Sequence, residues 1–170
     1  ASNTGNEPYS EYYSAQVAKA IGVNAISYGL SKWQGELCST CELFTSKEFS
    51  FVPIGRISGI RDMESAAEYY KILGSEFSEA FADMLVLDAI ICNTDRHLGN
   101  FGFLIDNRSN KIAAPAPLFD HGNSLFSLAG LDSFDSEKEL TEYADTLLPC
   151  LYDDFMGSAK AVLTQRHHDG

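Results

Sequence analysis

Two carboxylates and one amide are the residues best spaced to do chemistry together. Asp95 and Asn100 lie five residues apart in a polar segment, and Asp120 follows Asp95 by 25 residues, directly before His121-Gly122. Between them, Phe101–Ile105 and Lys111–Ala113 flank the turn-rich run Asp106-Asn107-Arg108-Ser109-Asn110, which reads as a tight hairpin. A hairpin brings its two ends together, so Asp95, Asn100 and Asp120 can converge on one small volume. Magnesium-assisted phosphoryl transfer asks for such a set. One carboxylate stands beside the attacking hydroxyl and accepts or orients its proton. An amide oxygen and a second carboxylate supply hard ligands for Mg²⁺. An asparagine serves where a third carboxylate would overload the site with negative charge. Gly122 is expected to let the backbone turn sharply after Asp120.

The elements around this segment must carry it to the interior. A helix is expected from Ser75, with Phe77, Ala80, Phe81, Met84, Leu85 and Asp88 on one stripe that turns apolar towards Ile90-Ile91. A helix buried at its end delivers Asn93-Thr94-Asp95-Arg96-His97 inside the domain rather than at its rim. Upstream, Asp62 or Ser65 caps a helix ending before Gly74. The first helix is expected over Glu7–Ile21, with Pro8 in its first turn, Tyr13, Val17, Ala20 and Ile21 as its apolar stripe, and Gly22 as its stop. Three extended segments follow, Ala25–Tyr28, Leu37–Phe44 and Phe49–Ile54, with turns at Gln34-Gly35 and Ser46-Lys47. They read as one small antiparallel sheet. After Ser136 come two helices parted by Pro149, the first carrying Leu140, Tyr143, Ala144 and Leu147. The acidic residues around its start complement a helix N-terminus and read as a solvated face.

Composition narrows the function classes. The 170 residues carry 12 Lys and Arg against 24 Asp and Glu, a net charge of −12, with 45% hydrophobic residues. That apolar content excludes a disordered chain. The acidic balance argues against direct nucleic-acid binding but not against a nucleotide held through Mg²⁺. No apolar run has the length of a membrane span, and the polar opening Ala1-Ser2-Asn3-Thr4 is no signal peptide. Cys38, Cys41, Cys92 and Cys150 are too sparse for a disulfide scaffold. The Cys38/Cys41 pair has no second pair at zinc spacing, and His167 and His168 are remote from it. Reduced thiols and a cytoplasmic location are the expectation.

The run Asn93-Thr94-Asp95-Arg96-His97-Leu98-Gly99-Asn100-Phe101-Gly102-Phe103-Leu104, followed by Ala116-Pro117-Leu118-Phe119-Asp120-His121-Gly122, resembles the catalytic and metal-binding loops of HipA-like protein kinases. Its D-R-H-x-x-N form also resembles the lipid inositol kinases. The resemblance covers about a third of the chain directly. It implies that Asp95 is the catalytic base, that Asn100 and Asp120 are Mg²⁺ ligands, and that Asp120-His121-Gly122 stands where ordinary protein kinases have D-F-G. His97 is similar to a residue that braces the catalytic loop; a core histidine satisfied by backbone explains it as well. Arg96 pairs with a carboxylate or meets phosphate.

More loosely, the segment Asn6-Glu7-Pro8-Tyr9-Ser10-Glu11 is similar to the family's helix after the ATP-binding lysine. That makes Glu7 or Glu11 the lysine's partner; complementing the helix dipole explains both residues equally. Glu42, Leu43 and Phe44 resemble the hinge that meets adenine; a buried strand explains Leu43 and Phe44 as well. The family's Gly-rich segment and strand lysine would precede the first residue, and neither Lys19 nor Lys32 lies in a matching context.

The implied fold is α+β and protein-kinase-like, with residues 1–55 as a partial N-terminal lobe and 56–170 as a helical catalytic lobe. The implied activity is ATP- and Mg²⁺-dependent phosphorylation of a protein serine or threonine. Such bacterial kinases often belong to toxin–antitoxin pairs, which extends the expected partners to a cognate antitoxin or regulatory protein. Three alternatives stay open: a nucleotide-binding module or pseudokinase without turnover, a phosphohydrolase using Asp95, His97 and Asp120, and a capped turn without chemistry. The last would bury several polar residues to no purpose.

Overall fold

The structure, a computed structural model, describes residues 5–164 and 167; Ala1-Ser2-Asn3-Thr4 and His168 lie outside the described residues. Pro8 in the first turn opens helix α1, Glu7–Ala20. Its buried face is Ser10, Glu11, Ser14, Ala15 and Ala18. The expected stripe is therefore on the wrong side: Tyr13 and Ile21 are exposed and Val17 is only half-buried. The reason is physical. α1 docks on a loop rich in backbone polar groups, which need hydrogen-bond partners more than apolar cover.

Strands β1, Tyr28–Trp33, and β2, Glu36–Cys41, form a hairpin with Trp33 opposite Glu36. Gln34 and Gly35 turn it with φ of 51° and 90°, the left-handed pair that a two-residue hairpin requires. The segment before it does not form a strand. Ala25 makes one parallel bridge to Leu118, two residues before Asp120.

The third extended segment, β3 (Phe49–Pro53), leaves this hairpin. It pairs antiparallel with β4 (Gly102–Asp106), which pairs in turn with β5 (Lys111–Pro115). The single three-stranded sheet expected upstream is thus corrected to a hairpin plus a sheet of order β3-β4-β5. Gly102 permits this pairing, because a Cβ there would collide with the Val52 carbonyl oxygen and the Pro53 backbone. Phe51 adds an apolar reason, since it packs against Phe44 and Phe119 at centroid distances of 5.6 and 5.2 Å.

Helix α2, Met63–Leu73, starts at Asp62, whose carboxylate accepts the Ser65 N–H at 2.8 Å. Helix α3, Ser75–Ile91, buries Phe81, Met84, Leu85, Leu87, Asp88 and Ile91, while Ile90 is exposed. It ends at Cys92 in left-handed backbone. Tyr70, Phe81, Phe101 and Phe103 form the aromatic centre of the core, and the Tyr70 hydroxyl donates to the Gly102 carbonyl. Helices α4, Glu137–Thr146, and α5, Phe155–Val162, follow, capped by Ser136 and Asp154. Among the described residues no helix is long and apolar enough to cross a membrane. The four cysteines are free.

Candidate functional site

The end of α3 places the site. Asn93, Arg96 and Asn100 are buried, as a helix ending in the core should make them. Arg96 is completely buried and forms a fork-on-fork pair with Asp88. Its Nε donates to Oδ2 and its Nη2 to Oδ1, both at 2.9 Å. Asn93 Nδ2 adds a third bond to Asp88 at 3.0 Å. Of the two roles open to Arg96, the structure places the carboxylate. Burial opposes its charge, but Asp88 outweighs that and holds the guanidinium above its ordinary pKa. Its remaining nitrogen joins the two loops. Nη1 donates to the Asn100 carbonyl at 3.1 Å and to the Phe119 carbonyl at 2.9 Å.

Asp95, Asn100 and Asp120 are thereby anchored to one another through the backbone. Asp95 is half-buried; its carboxylate accepts from Asn123 Nδ2 at 3.0 Å. Asn100 Nδ2 donates to the Asp95 carbonyl at 3.3 Å, which leaves its amide oxygen available as a ligand. Asp120 is exposed and itself takes the left-handed conformation, φ 60°. The sharp turn assigned to Gly122 thus belongs to Asp120. Gly122 instead passes close to α1, where an added Cβ would stand 3.4 Å from Glu7 Cβ.

His97 is exposed, which removes the core-histidine reading. Its Nδ1 accepts the Gly99 N–H at 3.0 Å and stiffens the loop before Asn100.

Helix α1 closes the site from the other side. Glu11 accepts the His121 N–H at 3.0 Å. The Ser10 hydroxyl reaches the carbonyls of His121 and Ser124 at 2.7 and 2.8 Å. The Tyr28 hydroxyl accepts the Asp120 N–H at 3.3 Å. Burial raises the Glu11 carboxyl above its ordinary range, with Asp120 adding to the rise and the His121 N–H resisting it. Burial likewise raises the Tyr28 hydroxyl, with Glu11 beside it. Glu42 and Leu43 lie beyond the end of β2 and are exposed, Leu43 by 88%. The buried-strand reading therefore fails for Leu43. Phe44 is half-buried against Phe51 and Phe119. Lys19 and Lys32 are exposed, on α1 and β1 respectively.

The donor set suits magnesium. It offers one carboxylate and one amide oxygen, and Mg²⁺ is commonly held by one or two carboxylates together with phosphate oxygens and water. Among the described residues no group of three or more His, Cys, Asp or Glu side chains gathers as a self-sufficient metal site. Three contributors escaped the motif reading. Asp88 carried a signal, a lone carboxylate on an apolar stripe that must meet a cation. Ser10 and Asn123 carried none.

His121 is fully buried, and neither ring nitrogen has a hydrogen-bond partner. Burial first, and then the Arg96 charge, lower its pKa from the ordinary 6.5 to about 3. The unfolded chain therefore binds a proton from pH 6.5 downward while the folded chain refuses it. Stability from this residue is present above pH 6.5 and lost as pH falls towards 3, by about 2 kcal/mol between pH 6.5 and 5. Glu11, shifted upward, works in the opposite direction on acidification. His121→Leu should abolish the histidine contribution and flatten the loss, as urea titrations across that range would read; parallel curves for the two proteins would contradict it.

No family model matches the chain. The chain is similar to the serine/threonine-protein kinase CtkA of Helicobacter pylori strain J99, with 25% identity over 138 residues. The match covers 73% of this chain and 42% of that protein, so the chain spans about two-fifths of its relative. Among solved structures it is similar to the crystal structure of an H. pylori proinflammatory kinase, CtkA. The TM-score is 0.78 at 20% identity, over 96% of this chain and 68% of the other. The fold is accordingly α+β and kinase-like, as the resemblance implied.

Proposed function

We propose that the chain carries the catalytic site of a HipA-like kinase that transfers the terminal phosphoryl group of ATP to a serine or threonine hydroxyl of a protein. The observation that carries this reading is the shared anchor: one nitrogen of Arg96 holds the backbones of both Asn100 and Phe119, beside the Asp95 loop. In the transfer, the acceptor oxygen forms the new O–P bond, the bond to ADP breaks, and the hydroxyl proton goes to the Asp95 carboxylate. Asn123 keeps that carboxylate in place. Asn100 and Asp120 would hold Mg²⁺, which when bound neutralises charge on the phosphates.

Residues 42–44 would meet adenine at the edge of the Phe44–Phe51–Phe119 cluster, with the nucleotide between portion 1–55 and portion 56–170. Glu7 or Glu11 would serve the nucleotide lysine. A reducing cytoplasm, a protein substrate and a cognate antitoxin or regulatory partner belong to the same reading. A second reading, a nucleotide-binding module without turnover, would use the same Asn100 and Asp120 and differ only in the transfer step; Glu11 contacts the His121 N–H and the Tyr28 hydroxyl in either case.

Calorimetric titration with Mg²⁺-ATP tests the site. Asp120→Asn should weaken binding about tenfold or more, the worth of one charge-assisted contact, and EDTA should weaken the parent similarly. Equal affinity in the two proteins, or no binding by the parent, would overturn the assignment. Binding without transfer to any serine or threonine peptide would select the second reading.

A further inference from the structure

A cavity of about 230 Å³ opens between α1 and the loop after Asp120-His121-Gly122. Tyr9 and Tyr13 form its α1 wall; Leu125, Phe126 and Phe134 form the facing wall. Its rim is apolar yet open to solvent, since Tyr9, Tyr13 and Phe134 are 45, 54 and 53% exposed. A contiguous exposed apolar patch marks a place where something else docks. The volume lies below that of ordinary small-molecule pockets and suits a single bulky side chain.

The loop is built to present this wall. Leu125 and Phe126 take φ of 49° and 57°, left-handed backbone that bulky residues rarely adopt. This lets two adjacent side chains line the same cavity. The backbone is pinned there by the Leu125 N–H on the Ile91 carbonyl at 2.7 Å and by Asn6 Nδ2 on the Ser127 carbonyl at 3.3 Å. The cavity lies near the site through a shared wall residue. Phe126 lines a second, smaller cavity together with Thr94 and Asn123, and Asn123 holds Asp95.

Charge selects the occupant. Downstream of the loop stand Asp132, Asp135, Glu137, Glu139, Glu142 and Asp145, all exposed, against Lys138 alone. We infer that this groove docks the acceptor protein through a basic segment whose one bulky apolar side chain enters the Tyr13–Phe134 cavity, while its Lys and Arg residues face the acidic run. The assignment of that segment to the acceptor rests on the phosphoryl-transfer reading; the docking itself does not.

Fluorescence anisotropy without nucleotide tests it, with a labelled lysine-rich peptide containing one serine and one phenylalanine as probe. The peptide should bind the parent, more weakly at high salt because the exposed charges are screened. Replacing its phenylalanine by alanine should weaken binding about tenfold, as loss of a buried aromatic anchor does. Phe134→Ser or Tyr13→Ser should do the same with Mg²⁺-ATP affinity unchanged. Replacing its lysines by glutamates should abolish binding. Lack of peptide binding, or indifference to the phenylalanine, would overturn the proposal while Mg²⁺-ATP binding still stood. A concentration-dependent dimer abolished by Tyr13→Ser would overturn it in favour of a second copy of the chain. Peptide binding in a protein that binds no Mg²⁺-ATP would refute the acceptor role.

Discussion

Arg96→Met should lower the free energy of unfolding by about 3–5 kcal/mol, the range for removing one partner of a buried ion pair. Asp88 would remain as a buried carboxylate that keeps its hydrogen bond from Asn93 Nδ2 but has lost its cation. The carbonyls of Asn100 and Phe119 would lose their shared donor at the same time. Arg96→Lys should recover little, because a single ammonium cannot form the fork with Asp88 and also reach both carbonyls. The informative comparison is the double variant Asp88→Leu/Arg96→Met. Removing both charges removes the unpaired carboxylate, so the double variant should be more stable than Arg96→Met alone. Urea midpoints at neutral pH, with unchanged slopes, would measure all of them. A single variant within about 1 kcal/mol of the parent would show that the pair does not anchor the two loops.

How much of this was legible follows from the range over which each signal acts. The β4–β5 hairpin was legible because its turn chemistry and its apolar flanks are adjacent in sequence. So was the turn at Gln34-Gly35; the burial of the segment after α3 was legible in part, since Asn93 and Arg96 are buried while Ile90 and His97 are exposed. The pairing of β3 was not legible, because alternation says that a strand exists but not which edge it joins. That pairing depends on Gly102, about fifty residues further along the chain, which lets the Val52 and Pro53 backbone approach. The inner face of α1 was illegible for another reason. Apolar periodicity finds faces that dock on apolar surfaces, whereas Ser10 and Glu11 face the backbone of the loop at His121 and Ser124. Within the site, residue types and order pointed to Asp95, Asn100 and Asp120, but what holds them was hidden. Asn123 looks like any loop asparagine until the fold sets it against Asp95.

Asp95→Asn should reduce phosphoryl transfer by about 10²–10⁴-fold, the usual contribution of a positioned general base, with little change in Mg²⁺-ATP affinity. The substitution is nearly isosteric. The amide oxygen can still accept from Asn123 Nδ2, and the Asp95 N–H can keep its bond to Asn93 Oδ1 at 3.1 Å. The loop should therefore stay in place, and what is lost is the capacity to take the acceptor's proton. This separates Asp95 from Asp120, whose loss should act on nucleotide binding. Single-turnover transfer to a serine peptide, read beside calorimetry, measures the split. Equal transfer rates would leave Asp95 as a structural residue of the loop. A loss of nucleotide affinity equal to the loss of rate would move it into the metal-binding role proposed for Asn100 and Asp120. Only a fall in rate at constant affinity fits a carboxylate that touches the acceptor hydroxyl and not the nucleotide, because an interaction made only in the transition state lowers the rate without loosening the ground state.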